Sequence, residues 1–139
     1  MIISRFKFTE GQFLKFKQTM NQKIPEILKA IELLNYLKSK NNENISTDYL
    51  ITDGIYMKAN INKGLEKVGL WLGADVMVEY NFEEAEKLLN DNLKNAENNL
   101  AEYDNDLDYL REQITTIEVN SSRVYNYKVQ SNKEKPENK

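Results

Sequence analysis

Three short patterns in this sequence hold residues of the kinds that do chemistry. The stretch GLEKVG (64–69) has the glycine spacing that opens a phosphate-binding loop. Leu70 and Trp71 then stand where Lys and Ser/Thr would have to reach the phosphates, so nucleotide binding is not expected. Asp104, Asp106 and Asp108 alternate as calcium ligands do. Residues two apart diverge on a helix, however, and no glycine turn lies between these, so they read as a solvated face. Paired carboxylates for glycoside chemistry would need a rigid cleft. The sequence has no His and no Cys, which removes the commonest general base, thiolate chemistry, disulfides and Cys/His zinc sites. No catalytic residue, metal site or cofactor is expected.

The composition turns attention to the elements themselves. The 139 residues are 29% charged with a mean hydropathy of -0.68, and five Gly and two Pro leave few turns. Long helices fit this better than many short strands. A net charge of -3 gives no support for a nucleic-acid surface. No apolar run approaches the roughly 18 residues of a membrane span, and MIISRFKFTEGQF lacks the apolar core of a signal peptide. The expected setting is cytoplasmic, with room for a nuclear pool.

The clearest periodicity lies in the second half. Leu89, Leu93, Ala96, Leu100, Tyr103, Leu107, Leu110, Ile114, Ile117, Ser121 and Val124 follow spacings of 4 and 3 without interruption. That is a coiled-coil seam, predicting a helix over about 82–128 of roughly 70 Å at ~1.5 Å per residue. Asn81 with Glu84 has the spacing of a capping box at its start. The first half carries a less regular seam, Phe13, Phe16, Met20, Ile24, Ile27, Ile31 and Leu34, in a helix over about 4–41. Pro25 either kinks that helix or opens a new one; the apolar stripe running through it favours a kink. Residues 4–40 hold eight Lys/Arg against three Asp/Glu, and 82–118 hold three against eleven. Opposite signs favour pairing the two helices with each other, antiparallel, over leaving both charge sets merely solvated.

Between the helices come two hairpins, about 48–62 and 66–80. Asp53-Gly54 separates Tyr49–Thr52 from a strand whose Ile55, Met57, Ala59 and Ile61 share one face. Gly73-Ala74-Asp75 separates Val68, Leu70 and Leu72 from Val76, Val78 and Tyr80. An isolated hairpin is marginal in water and leaves open edges. Trp71, Leu70, Val76 and Val78 would each gain roughly 1.5–3 kcal/mol on burial. The expectation is therefore that these hairpins pair with hairpins of other chains, closing a barrel. The polar segment 130–139 reads as a disordered tail.

The far ends of the two helices are unusually apolar. Phe6, Phe8, Phe13 and Leu14 lie at one end, and Val124, Tyr125, Tyr127 and Val129 at the other. Antiparallel pairing brings these ends together. Such a cluster either closes the coiled coil or offers a surface to an apolar ligand.

The stretches KIPEILKAIELLNYLKSK (23–40), YMKANI (56–61), LWLGADVMVEYNFEEAEKLLNDNL (70–93) and LDYLREQITTIEVNSSRVYNY (107–127) resemble the α-class subunits of prefoldin, with the same order of helix, two hairpins and helix. Tyr127 departs from the family by standing where Trp is expected, and similar proteins carry residues upstream of the first helix. The resemblance implies a mostly α fold with a small β part: a long antiparallel coiled-coil helical hairpin with two β-hairpins at its base, forming a single domain over 1–129. It implies a hexamer with one further α-class and four β-class subunits. It also implies ATP-independent, metal-free capture of unfolded proteins, actin and tubulin among them, by the coiled-coil tips, with delivery to the cytosolic group II chaperonin. A structural coiled-coil adaptor joining folded partners is the competing class.

Overall fold

A computed structural model describes residues 2–133. The elements run α1 (Ile2–Ser39), β1 (Ile45–Thr52), β2 (Ile55–Ile61), β3 (Lys67–Gly73), β4 (Val76–Asn81) and α2 (Phe82–Lys133). Two long helices thus bracket two antiparallel two-stranded hairpins, as the periodicities predicted. Pro25 lies inside α1, so the alternative of a fresh helix beginning there is overturned. The chain divides into two compact units, 1–22 with 97–139, and 23–96.

In the first unit the stretches of α1 and α2 run antiparallel. Lys7 pairs with Glu118 at 2.7 Å, Glu10 with Arg111 at 3.3 Å, and Lys17 with Asp104, so α2 numbers fall as α1 numbers rise. Leu107, Leu110 and Ile114 are buried, and Leu100, Tyr103 and Ile117 are half-buried, which reproduces the 4-3 spacing residue for residue. Asp104 thus serves the helix pairing. The Lys7 ammonium is held above its ordinary range, first by its hydrogen bond to Glu118 and then by that carboxylate's charge.

In the second unit Leu34, Ala85 and Leu89 form the buried cluster, with Ile27, Ala30, Ile31 and Phe82 packed on it and Ile24 and Leu93 half-buried along the seams. The start of α2 is capped as its sequence implies. Glu84 N–H donates to Asn81 Oδ1 at 2.8 Å, and Asn81 N–H donates to Glu84 Oε2 at 3.4 Å. The chain leaving α1 is tied to the link between the hairpins by Asn41. Its Nδ2 donates to the Leu65 carbonyl at 2.9 Å, its Oδ1 accepts from Leu65 N–H at 2.6 Å, and its own carbonyl accepts from Gly64 N–H.

The hairpin registers decide which side chains share a face. Ile45↔Ile61, Thr47↔Ala59 and Tyr49↔Met57 lie on one face of β1–β2. In β3–β4 the pairs Val68↔Tyr80 and Leu70↔Val78 share a face, and Trp71↔Met77 lies on the other. Irregularities between Leu50 and Thr52 and between Trp71 and Gly73 leave Ile51 and Leu72 outside the paired register. The β3–β4 turn has positive φ at both central residues, Ala74 (49°) and Asp75 (58°), as a type I′ turn requires. Alanine is strained there, whereas glycine is not. Ala74→Gly is expected to stabilise the hairpin by about 1 kcal/mol, read as slower hydrogen exchange at the β3 and β4 amides; unchanged or faster exchange would contradict the turn geometry.

Several boundaries differ from the sequence reading. β1 begins at Ile45, not near 48, because Ile45 and Thr47 find cross-strand partners in Ile61 and Ala59. α2 continues to Lys133, past the expected end near 128 and into the segment expected to be disordered. No Gly or Pro stands between 129 and 133 to stop it. Residues 134–139 of that expected tail lie outside the described residues.

Candidate functional site

Two surfaces carry most of the exposed apolar side chains; Leu28, Leu33 and Tyr36 of α1 are exposed outside both. The first belongs to the unit made of 1–22 and 97–139. Phe8, Leu14, Val124, Tyr125, Tyr127 and Val129 are all exposed, with Val124, Tyr125 and Tyr127 at 69%, 67% and 73%. Phe6 is half-buried in a small cleft with Ile2, Arg5 and Thr9. Phe13 is placed differently. Its ring centroid lies 5.9 Å from that of Tyr103 and 6.4 Å from that of Phe16, and Phe16 stacks on Tyr103 at 5.7 Å. This aromatic triple closes the helix pair, so Phe13 spends its ring on packing.

Among the described residues, the remaining tip residues line separate clefts. A groove of about 550 Å³ is built from α2 alone, by Ile117, Asn120, Ser121, Val124, Tyr125 and Lys128. The cleft around Phe6 is built from α1 alone. The ion pairs explain the separation. Lys7 already stands opposite Glu118, so an antiparallel α1 has no described residue left to set against 124–133. Ile2, Tyr109 and Val119 are exposed apolar residues of this unit that the sequence reading did not single out. Tyr109 falls off the 4-3 seam, which was the one signal that could have marked it as outward-facing.

The second surface is the pair of hairpins in unit 23–96. Ile55, Met57, Trp71, Leu72, Val76 and Val78 are exposed, Trp71 at 60%, and Tyr49, Leu50, Ile51, Tyr56 and Met77 join them. Ile61 is half-buried. Val68, Leu70 and Tyr80 were expected among the assembly residues, but they pack inward on the Leu34–Ala85–Leu89 cluster. The β3–β4 hairpin is therefore partly covered on one face by its own helices, and Val78 of that face, the Trp71–Met77 face and the turn end stay exposed. Gly69 lies on that outer face, and a Cβ there would stand 3.1 Å from Met77 Sδ, so glycine lets Met77 lie flat across the strand beside Trp71.

A family profile described as Prefoldin, "Prefoldin subunit", matches residues 6–127. Prefoldin subunit 3 of Mus musculus is 42% identical over 127 residues, covering 90% of this chain and 64% of that protein. The probable prefoldin subunit 3 of Schizosaccharomyces pombe is 40% identical, covering 91% of this chain and 75% of that protein. The chain thus spans about two thirds of the length of the curated relatives it matches. A cryo-EM structure of filamentous PFD from Methanocaldococcus jannaschii superposes with a TM-score of 0.68 at 15% identity, covering 84% of this chain and 95% of that one. With its helix–hairpin–hairpin–helix order, its outward apolar hairpin faces and a profile match over nearly all of its length, the chain belongs to the prefoldin subunit family.

Proposed function

We propose that this chain is one arm of a hetero-oligomeric, ATP-independent chaperone. The hairpins join it to one further α-class and four β-class subunits. The tips capture unfolded proteins such as actin and tubulin and pass them to the group II chaperonin in the cytoplasm. The observation that carries this reading is the pairing of two uncovered apolar surfaces in a chain with a thin core. A purely structural adaptor would need the hairpin surface but has no use for Val124, Tyr125 and Tyr127 standing free on a helix. Capture at a single tip is weak, and several linked arms raise it through effective concentration.

The test is aggregation of chemically unfolded actin diluted into the reconstituted complex. Light scattering is expected to be suppressed at stoichiometric complex without ATP; no suppression would end the chaperone reading. Tyr125→Ser with Tyr127→Ser should weaken client capture by about a hundredfold or more without changing the stoichiometry of the complex, since each ring forfeits roughly 1.5–3 kcal/mol of burial. Native mass spectrometry checks assembly, and unchanged capture would move the site elsewhere on the arm.

A further inference from the structure

The surface of α2 changes character past Glu118. Up to that point the flank of its seam carries Asp104, Arg111 and Glu118, seven residues apart, and each pairs with an opposite charge on α1. The next residue in that series is Tyr125, exposed and without a described partner. The wider charge balance reverses as well. Residues 82–118 hold eleven acids and three bases; 119–133 hold Arg123, Lys128 and Lys133 and no acid. No ion pair forms at Arg123 or Lys128 among the described residues, and both are exposed.

The 4-3 seam nonetheless continues here, through Ile117, Ser121, Val124 and Lys128. It forms the floor of the 550 Å³ groove, with Tyr125 on one wall. The groove thus keeps the geometry that receives an amphipathic helix, but in place of the acidic edge that attracts the basic α1 it has an aromatic wall and uncompensated cations. A basic segment would be repelled where α1 is attracted.

Resting on the chaperone reading above, we propose that the α2 tip selects client segments in which apolar residues alternate with acidic ones: Val124 and Tyr125 take the apolar side chains, and Arg123 and Lys128 take the carboxylates. The occupant is an acidic amphipathic stretch of an unfolded chain, laid along α2 where α1 no longer covers the seam. Charge then sorts among hydrophobic clients that the groove alone would treat alike.

Three fluorescein-labelled peptides test this, with Leu and Phe at identical helical spacing and with Glu, Gln or Lys at every other position. Anisotropy is measured against the reconstituted complex. The Glu peptide is expected to bind about fivefold tighter than the Gln peptide at low salt, two exposed ion pairs being worth that much, and the Lys peptide more weakly than either. The preference should fade near ~0.5 M salt, where the Debye length shrinks to a few Å. Arg123→Gln with Lys128→Gln should bring all three peptides within about twofold of one another. A photo-crosslinker on Asn120→Cys, attached before assembly to this cysteine-free chain, should capture the Glu peptide in preference to the Lys peptide. Equal binding of Glu and Gln peptides overturns the charge selectivity but leaves apolar capture standing. So does a preference that survives the double Gln variant, or a variant whose only loss is chaperonin association. Failure of all three peptides to bind, together with unsuppressed actin aggregation, overturns both readings.

Discussion

Trp71→Glu is expected to release this subunit from its complex while leaving its helices intact. Trp71 stands on the outer face of β3, paired with Met77 across the ladder and 60% exposed in the isolated chain. It lies outside the buried Leu34–Ala85–Leu89 cluster, on which Val68, Leu70 and Tyr80 pack, and only lines an open cleft beside Ile27, Ala30 and Leu88. A carboxylate there costs the lone chain little, since water already surrounds the site. In an interface the same carboxylate would sit unpaired among apolar neighbours, where leaving a charge uncompensated costs several kcal/mol. The loss of the indole removes roughly 1.5–3 kcal/mol more. A penalty of that size shifts a binding constant by more than a thousandfold. The measurement is co-purification with tagged partner subunits, with far-UV circular dichroism of the free variant alongside. Wild-type recovery of the variant in the complex would remove the β3–β4 outer face from the assembly surface. Val78→Glu is a weaker probe, because Val78 shares its face with the inward Leu70 and risks disturbing the hairpin itself.

What was legible in the sequence follows from which patterns have a single structural solution. The 4-3 run from Leu89 to Ile117 has one, and every member of it is buried or half-buried in α2. The Asn81–Glu84 capping spacing has one as well, and both of its hydrogen bonds form. Alternation in the hairpins has two. It says that Val68, Leu70, Val78 and Tyr80 lie together, but not whether that face turns to the chain's own helices or to another chain. Only the docking of β3–β4 on Leu34, Ala85 and Leu89 decides it. Phe13 was ambiguous for a related reason. It belongs both to the seam and to the aromatic-rich end, and the approach of Tyr103 assigns it to the seam. Asn41 left no signal, because one clamp residue cannot be told from its neighbours in NNENIST (41–47) until the backbone of Leu65 is seen to complete it.

Leu107→Ala should loosen the helix pair of unit 1–22 with 97–139 more than any other single truncation in that unit. Leu107 is 1% exposed, the largest fully buried side chain among the described residues. Its neighbours in the seam, Leu100 and Tyr103, are only half-buried, and of the cross-helix ion pairs Lys7–Glu118 is exposed while Glu10–Arg111 and Lys17–Asp104 are partly exposed. Surface pairs of that kind contribute at most about 1 kcal/mol each. Removing a buried leucine side chain costs about 2–5 kcal/mol, so it outweighs any one of them and rivals all three. A two-helix pair has no further layer to collapse into the void, which places the cost toward the upper part of that range. Hydrogen exchange of the assembled complex reads it directly: amides of 100–114 and of 5–20 should exchange about a hundred- to several-thousandfold faster. Amides around Leu34 and Leu89, which pack in a cluster of their own, should be unaffected. Aggregation suppression should fall with the loss of protection, because Tyr125 and Val124 are presented by the same helix. If protection at 100–114 were unchanged, the 4-3 seam would not be what holds α1 and α2 together. If protection fell while capture stayed whole, the exposed residues of α2 would be acting on an isolated helix, and the pairing with α1 would be irrelevant to the client.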